Sequence, residues 1–165
     1  MRESRIFILA AIFALFFLEV TVFDKLKIFT VKPDLLLVAT IFFGFHFGAS
    51  KGMEAGLVSG ILKGLFSTTA FGINLFSYLL IGFLSGYVRK TLYKENFAIQ
   101  LALANLSVWL LAGIYTLYLA VITKHAPEAH FWLGVLYKGL YTGVIAPYLF
   151  FIFAKIYGHK QTEIL

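Results

Sequence analysis

The stretch GFHFGASKGMEAGLVSGILKG, residues 44–64, carries a glycine at every fourth position: Gly44, Gly48, Gly52, Gly56, Gly60 and Gly64. Four residues make slightly more than one helical turn, so this spacing lays the glycines along a helix surface. In lipid, burying Leu against Leu gains little. Helices there associate by close packing, which glycine permits by letting backbones touch. The ladder predicts a packed membrane bundle. Each step of four turns about 400°, so the row drifts by about 40° per glycine. At least two neighbours are therefore expected to use it, part serving the bundle and part a partner helix.

The surrounding chain agrees. Of 165 residues, 61% are hydrophobic and only 13% charged, and mean hydropathy is +0.89. A water-soluble domain of this size could not hide so much apolar surface. The polar connections are short, at 24–34, 89–96 and 123–130. A single transmembrane domain over residues 1–165 is expected, with function confined to the membrane and its loops. There is no cysteine, which excludes disulfides, a thiolate nucleophile and Cys-ligated metals. The N-terminal apolar run lacks an Ala-x-Ala-like cleavage site in residues 17–25 and reads as a retained helix.

Hydropathy gives segments at 6–23, 35–47, 53–66, 71–88, 97–122 and 131–154. Read as one helix, residues 35–66 would run roughly 48 Å against a hydrocarbon core of about 30 Å. Lys51 and Glu54 would then sit near its middle. Two short helices joined by a tight turn at 48–52 are expected instead. With six spans and a cytoplasmic N-terminus, Arg2, Arg5, Lys51, Arg89, Lys90, Lys94, Lys155 and Lys160 lie inside, and Lys25, Lys27, Lys32 and Lys124 outside. That bias favours both termini in the cytoplasm. Tyr87, Tyr93, Trp132 and Tyr157 read as interfacial anchors.

Four ionisable residues fall within the expected spans: Glu19, Glu54, Lys63 and Lys138. A charge at bilayer depth costs about 2.5 to 3.5 kcal/mol on insertion scales, so each needs an explanation. Glu54 has Lys51 one turn away. Lys138 leans toward its helix N-terminus and is expected to snorkel. Lys63, near the far end of its helix, leans toward the bilayer centre and needs a partner. Glu19 is the acid at matching depth, so a Glu19–Lys63 pair is expected. His125, His130 and Glu128 share a loop without metal-ligand spacing. No hydrolase, kinase or phosphate-loop pattern occurs, and neither enzymatic activity nor a cofactor is expected. Gly82 and Gly86, like Gly139 and Gly143, add small faces for helix packing.

Lys32-Pro33-Asp34-Leu-Leu-Leu, Gly48-Ala49, Gly56-Leu57, Gly60-Ile-Leu, Phe71-Gly72-Ile73-Asn74-Leu75 and Leu84-Ser-Gly-Tyr-Val-Arg-Lys together resemble the MreD family of the bacterial rod-shape system. Pro33 and Asp34 match the start of that family's second helix. Lys63 departs from the family's pattern, which often has an acid nearby. The resemblance implies a non-enzymatic scaffold subunit of the cell-elongation machinery in the bacterial inner membrane. It would pack against MreC and, through it or directly, associate with MreB and the RodA–penicillin-binding protein pair. The family also looks similar to the six-helix substrate-binding subunits of energy-coupling-factor vitamin transporters. In that alternative Glu19, Lys63, Asn74, Asn105 and Lys138 would line a small-molecule cavity.

Overall fold

A computed structural model of the protein describes residues 2–22, 31–66, 71–92, 96–122, 124 and 127–162, with side chains described over the same residues except 2–4 and 157–162. The described residues form six helices: α1 (Arg2–Thr21), α2 (Leu35–Phe47), α3 (Ala49–Phe66), α4 (Phe71–Val88), α5 (Phe97–Ile122) and α6 (Ala129–Thr162). The apolar runs become helices because a helix satisfies its own backbone where water is absent. Four ends extend past the expected bounds: α1 starts at Arg2, α3 starts at Ala49, and α6 runs from Ala129 to Thr162. Backbone hydrogen bonding does not stop where the apolar run stops, so these ends carry on into polar sequence. Among the described residues, α4, α5 and the 129–156 stretch of α6 are each long and apolar enough to cross a membrane, and α2 is a shorter apolar helix.

α2 is the axis of the bundle. Its residues from Leu35 to Phe45 are all buried, and every other helix touches it. A helix that is apolar all round needs neighbours all round. Phe42 packs against His46 and, from α6, Phe150 and Phe153, with ring centroids 4.2, 5.3 and 5.0 Å away. The outer helices keep the opposite pattern. Ile6, Phe13 and Phe17 of α1 and Leu133, Val144, Tyr148 and Phe151 of α6 are exposed. Apolar faces of that extent suit hydrocarbon rather than water.

Contacts fix the directions. Glu19 meets Leu35 while Phe7 meets Phe43, so α1 and α2 are antiparallel. Asp34 lies beside Lys63 and Gly44 beside Gly52, so α2 and α3 form a hairpin. Gly52 meets Gly82 and Gly64 meets Phe71, so α4 reverses again. Asp34 meets Lys138 and Phe42 meets Phe153, which sets α6 parallel to α2. The N-terminus of α1 and the C-terminus of α6 therefore lie at the same end of the bundle.

The reversal between α2 and α3 takes one residue, not the expected five. Gly48 has φ +98°, a left-handed conformation open to glycine. Gly48 N–H donates to Gly44 O at 2.8 Å, and Gly52 N–H to Gly48 O at 2.9 Å, so helical bonding continues to both sides. At this end Lys51 pairs with Glu54 at 2.7 Å and Arg5 reaches the same carboxylate at 3.3 Å. Tyr87 is exposed, and Trp132 stacks on Trp109 at 6.1 Å. Tyr93 and His125, and the Tyr157 side chain, lie outside the described residues.

The expectation that part of the glycine ladder faces a partner is corrected. All six ladder glycines meet their own chain. A Cβ on Gly44 would lie 2.7 Å from Gly82 O, on Gly48 2.8 Å from the Arg89 guanidinium, on Gly60 2.8 Å from Leu75 Cα and on Gly64 2.6 Å from the Phe71 ring. On Gly52 and Gly56 it would run into the Gly82 and Tyr78 carbonyls. From the other side, Gly82 meets the Gly52 carbonyl and Gly86 the Ala49 backbone. The drift does not spoil the contact because α4 answers with its own four-residue row: Asn74, Tyr78, Gly82 and Gly86. Rows stepped by four are inclined to both helix axes, so two helices crossing along them stay engaged.

Gly52→Ala and Gly82→Ala should each lower stability in detergent by about 1 to 3 kcal/mol, because backbone has to move. Gly113 and Gly134 have open space where a Cβ would go. Gly113→Ala and Gly134→Ala should be neutral or stabilise by up to about 1 kcal/mol through helix propensity. Thermal unfolding of the four variants separates the two classes.

Candidate functional site

The first turn of α2 begins inside the protein, where its free N–H groups have no water to bind. The first N–H groups of any helix lack intrahelical acceptors. Here every one finds a side chain. Asp34 N–H donates to Thr142 Oγ1 of α6 at 3.1 Å. Leu35 and Leu36 N–H donate to Glu19 Oε2 of α1 at 3.1 and 3.4 Å. Leu37 N–H donates to Asp34 Oδ1 at 3.2 Å, an N-cap by sequence and geometry. Pro33, also buried, has no N–H to satisfy.

Two carboxylates at a helix N-terminus are favoured by its dipole but remain two buried charges. Two lysines neutralise them. Lys63 of α3 pairs with Glu19 Oε1 and also reaches Asp34 Oδ1 at 3.2 Å. Lys138 of α6 pairs with Asp34 Oδ2 at 2.8 Å. Tyr78 of α4 donates its hydroxyl to Asp34 Oδ1 at 2.7 Å. Five helices thus converge on one cluster of two acids and two bases, held without net charge.

Lys63 therefore meets Glu19 as its depth suggests. Lys138 is corrected: rather than snorkelling to an interface, its ammonium ends on Asp34, because the cap of α2 lies at the depth that its outward lean reaches. Asp34 was legible as the start of α2 through the resemblance of Pro33-Asp34-Leu35 to the family's motif, but not as the hub. Tyr78 and Thr142 carried no signal beyond their place in apolar helices.

Beside the cluster, between α4, α5 and α6, lies a cavity of about 290 Å³ whose wall includes Asp34, Lys63, Asn74 and Lys138. Glu19 is screened from it. Asn105 is elsewhere, with its side-chain oxygen 3.3 Å from where a Gly139 Cβ would stand. His130 pairs with Glu128 at 3.1 Å on the surface. Among the described residues no group of His, Cys, Asp and Glu is arranged to hold a metal.

The family described as rod shape-determining protein MreD matches residues 1–159, so the chain belongs to the MreD family. The match extends well beyond the motifs between Lys32 and Lys94. Membership gives the chain a role in rod-shape determination, in a family of shape-determining rather than known catalytic proteins. No curated protein and no solved structure matches the chain.

Removing one member of the cluster strands a buried charge. Glu19→Gln and Lys63→Met should each cost about 3 kcal/mol in detergent, and the double variant at least about 1 kcal/mol less than their sum. Strict additivity would mean the two do not interact. Tyr78→Phe, which keeps the shape and deletes one hydrogen bond to a charged group, should cost about 1.5 to 3 kcal/mol.

Proposed function

We propose that this chain is a non-enzymatic scaffold subunit of the bacterial cell-elongation machinery. It lies in the cytoplasmic membrane, packs against MreC and, through it or directly, joins MreB and the RodA–penicillin-binding protein pair. Family membership over residues 1–159 carries the reading. The chemistry of the described residues agrees with it: the buried charges are spent on one another and on a helix cap, which suits holding a shape. The glycines are consumed inside the bundle, so the partner surface is sought on the exposed apolar faces of α1 and α6. These offer side chains such as Phe13, Phe17, Tyr148 and Phe151.

We further propose that all six helices cross the membrane, with both termini in the cytoplasm. The antiparallel α2–α3 hairpin and the shared end of the two termini support an even number of crossings. The bias of Lys and Arg supports the orientation. As a small-molecule-binding transporter subunit the chain has one feature in its favour, the cavity beside the cluster. That cavity is compatible with the scaffold.

The absence of cysteine makes the topology directly testable. Single cysteines at Ser4 and Thr162 should react with a membrane-impermeant maleimide only after the membrane is opened. Labelling of Ser4→Cys in intact cells would contradict six spans. In a rod-shaped host that depends on this chain, deleting it should give rounded cells and restoring it should return rods. The tagged full chain should retain MreC through detergent purification. Cells that stay rod-shaped without it, or a folded chain that retains no MreC, would contradict the scaffold role.

A further inference from the structure

α1 and α3 run side by side and are tied at two levels. At the end shared by the N-terminus of α1 and the C-terminus of α6, Arg5 pairs with Glu54 at 3.3 Å. Toward the other end Phe16 packs on Phe66 at 4.9 Å and Lys63 pairs with Glu19. Beside the first tie the two helices leave a groove of about 350 Å³, lined by Arg5, Ile8, Leu9, Glu54, Leu57 and Val58. Ile8 is buried at its floor, while Leu9 and Leu57 are each 43% exposed on its walls. The groove therefore opens sideways, which in a membrane means toward hydrocarbon.

Its mouth carries an excess of positive charge. Glu54 is shared by two cations: Arg5 Nη2 meets Oε1, and Lys51 Nζ meets Oε2 at 2.7 Å. One carboxylate cancels only one of them, so the trio keeps a positive charge that the neutral cluster around Asp34 does not have. Exposure decides where that charge is displayed. The Lys51 side chain is 17% exposed and the Arg5 side chain 63%. A guanidinium carries five N–H donors in a planar fork, so Arg5 can hold Glu54 through Nη2 and still offer donors to a second anion. That fork suits the oxygens of a phosphate.

A displayed cation beside an apolar groove specifies an amphiphile whose anion and chain are joined. Arg5 is one turn from Leu9, and Glu54 one turn from Val58. A headgroup on Arg5 thus sets its chain directly against the groove. A cavity of this volume admits a flexible chain, whereas a helix about 10 Å across would rest on its rim. We propose that the α1–α3 groove binds one anionic membrane phospholipid, its phosphate on Arg5 and an acyl chain against Ile8, Leu9 and Leu57.

The site needs no protein partner, so its test is independent of the scaffold reading. The purified full chain in detergent is offered equal amounts of phosphatidylglycerol and phosphatidylcholine with the same tails, which share the phosphate and differ in net charge. Native mass spectrometry counts the lipid retained. One phosphatidylglycerol should be held, at about fivefold higher occupancy than phosphatidylcholine, as one basic group at a membrane surface supplies. Arg5→Gln should abolish the preference. Glu54→Gln should strengthen it, because Arg5 and Lys51 then both face the lipid uncancelled; a pair that served stability alone would not give opposite signs. Exposed ion pairs contribute little to folding, so both variants should unfold with the parent. Leu57→Trp, which fills the groove and leaves the charges in place, should lose most of both lipids. No preference in the parent, an unchanged preference in Arg5→Gln, a weaker one in Glu54→Gln, or full retention by Leu57→Trp would overturn the site. In cells, a photoreactive side chain at position 57 should capture lipid, and capture of protein alone would overturn a lipid as the occupant.

Discussion

The N-terminus of α2 is buried, and the rest of the structure follows from satisfying it. A helix that starts inside a bundle exposes its first N–H groups to a medium with no water, where each unmet donor costs about 1 to 3 kcal/mol. Carboxylates and a threonine answer the donors, lysines and a tyrosine answer the carboxylates, and the answers come from five helices. Glu19 ties α1 to α2, Lys63 ties α3, Tyr78 ties α4, and Lys138 with Thr142 ties α6. Replacing the four charges by apolar groups could leave stability unchanged, because a buried ion network mainly fixes which arrangement forms. Its contribution here is registry.

The two ends of α2 use different physics for the same purpose. At Asp34 the neighbours are held by charge and directional hydrogen bonds. Toward Gly48 they are held by backbone approach, with Gly44, Gly52, Gly82 and Gly86 bringing α2, α3 and α4 into direct contact. α5 lies apart from both devices. It packs on α6 through Gly139 and Gly143 but touches α4 only sparingly, and the cavity and its apolar continuation occupy that seam. A core of five helices tied through α2, with α5 as its flank, suits the scaffold role proposed above.

The elements were legible because they are long apolar runs broken by polar residues. The break at Gly48 was legible because a helix through residues 35–66 would strand Lys51 and Glu54 in hydrocarbon. Lys63 pointed to Glu19 by depth and lean alone. Asp34 was harder: from the sequence it only ends a polar connection and begins a helix, and the burial of α2 on every side turns that cap into a hub. Lys138 misled for the same reason, since snorkelling assumes that nothing lies between its ammonium and the interface. The glycine row also misled: a drift of about 40° per step forbids a single partner only if that partner runs parallel to the row's helix, and α4 instead crosses along a matching row. Tyr78 and Thr142 were hidden because a polar side chain in an apolar helix shows its role only through what it faces.

The capped N-terminus of α2 holds the bundle together, and amide hydrogen exchange of the full chain in lipid nanodiscs measures this directly. In the parent protein the Leu35–Phe45 amides should be among the slowest to exchange. In Asp34→Ala, protection should fall across α2 and spread to α3, α4 and α6, whose Lys63, Tyr78 and Lys138 lose their shared carboxylate, while α5 stays as protected as before. Faster exchange limited to the first turn of α2, with α3, α4 and α6 unchanged, would show that the cap does not hold the bundle together.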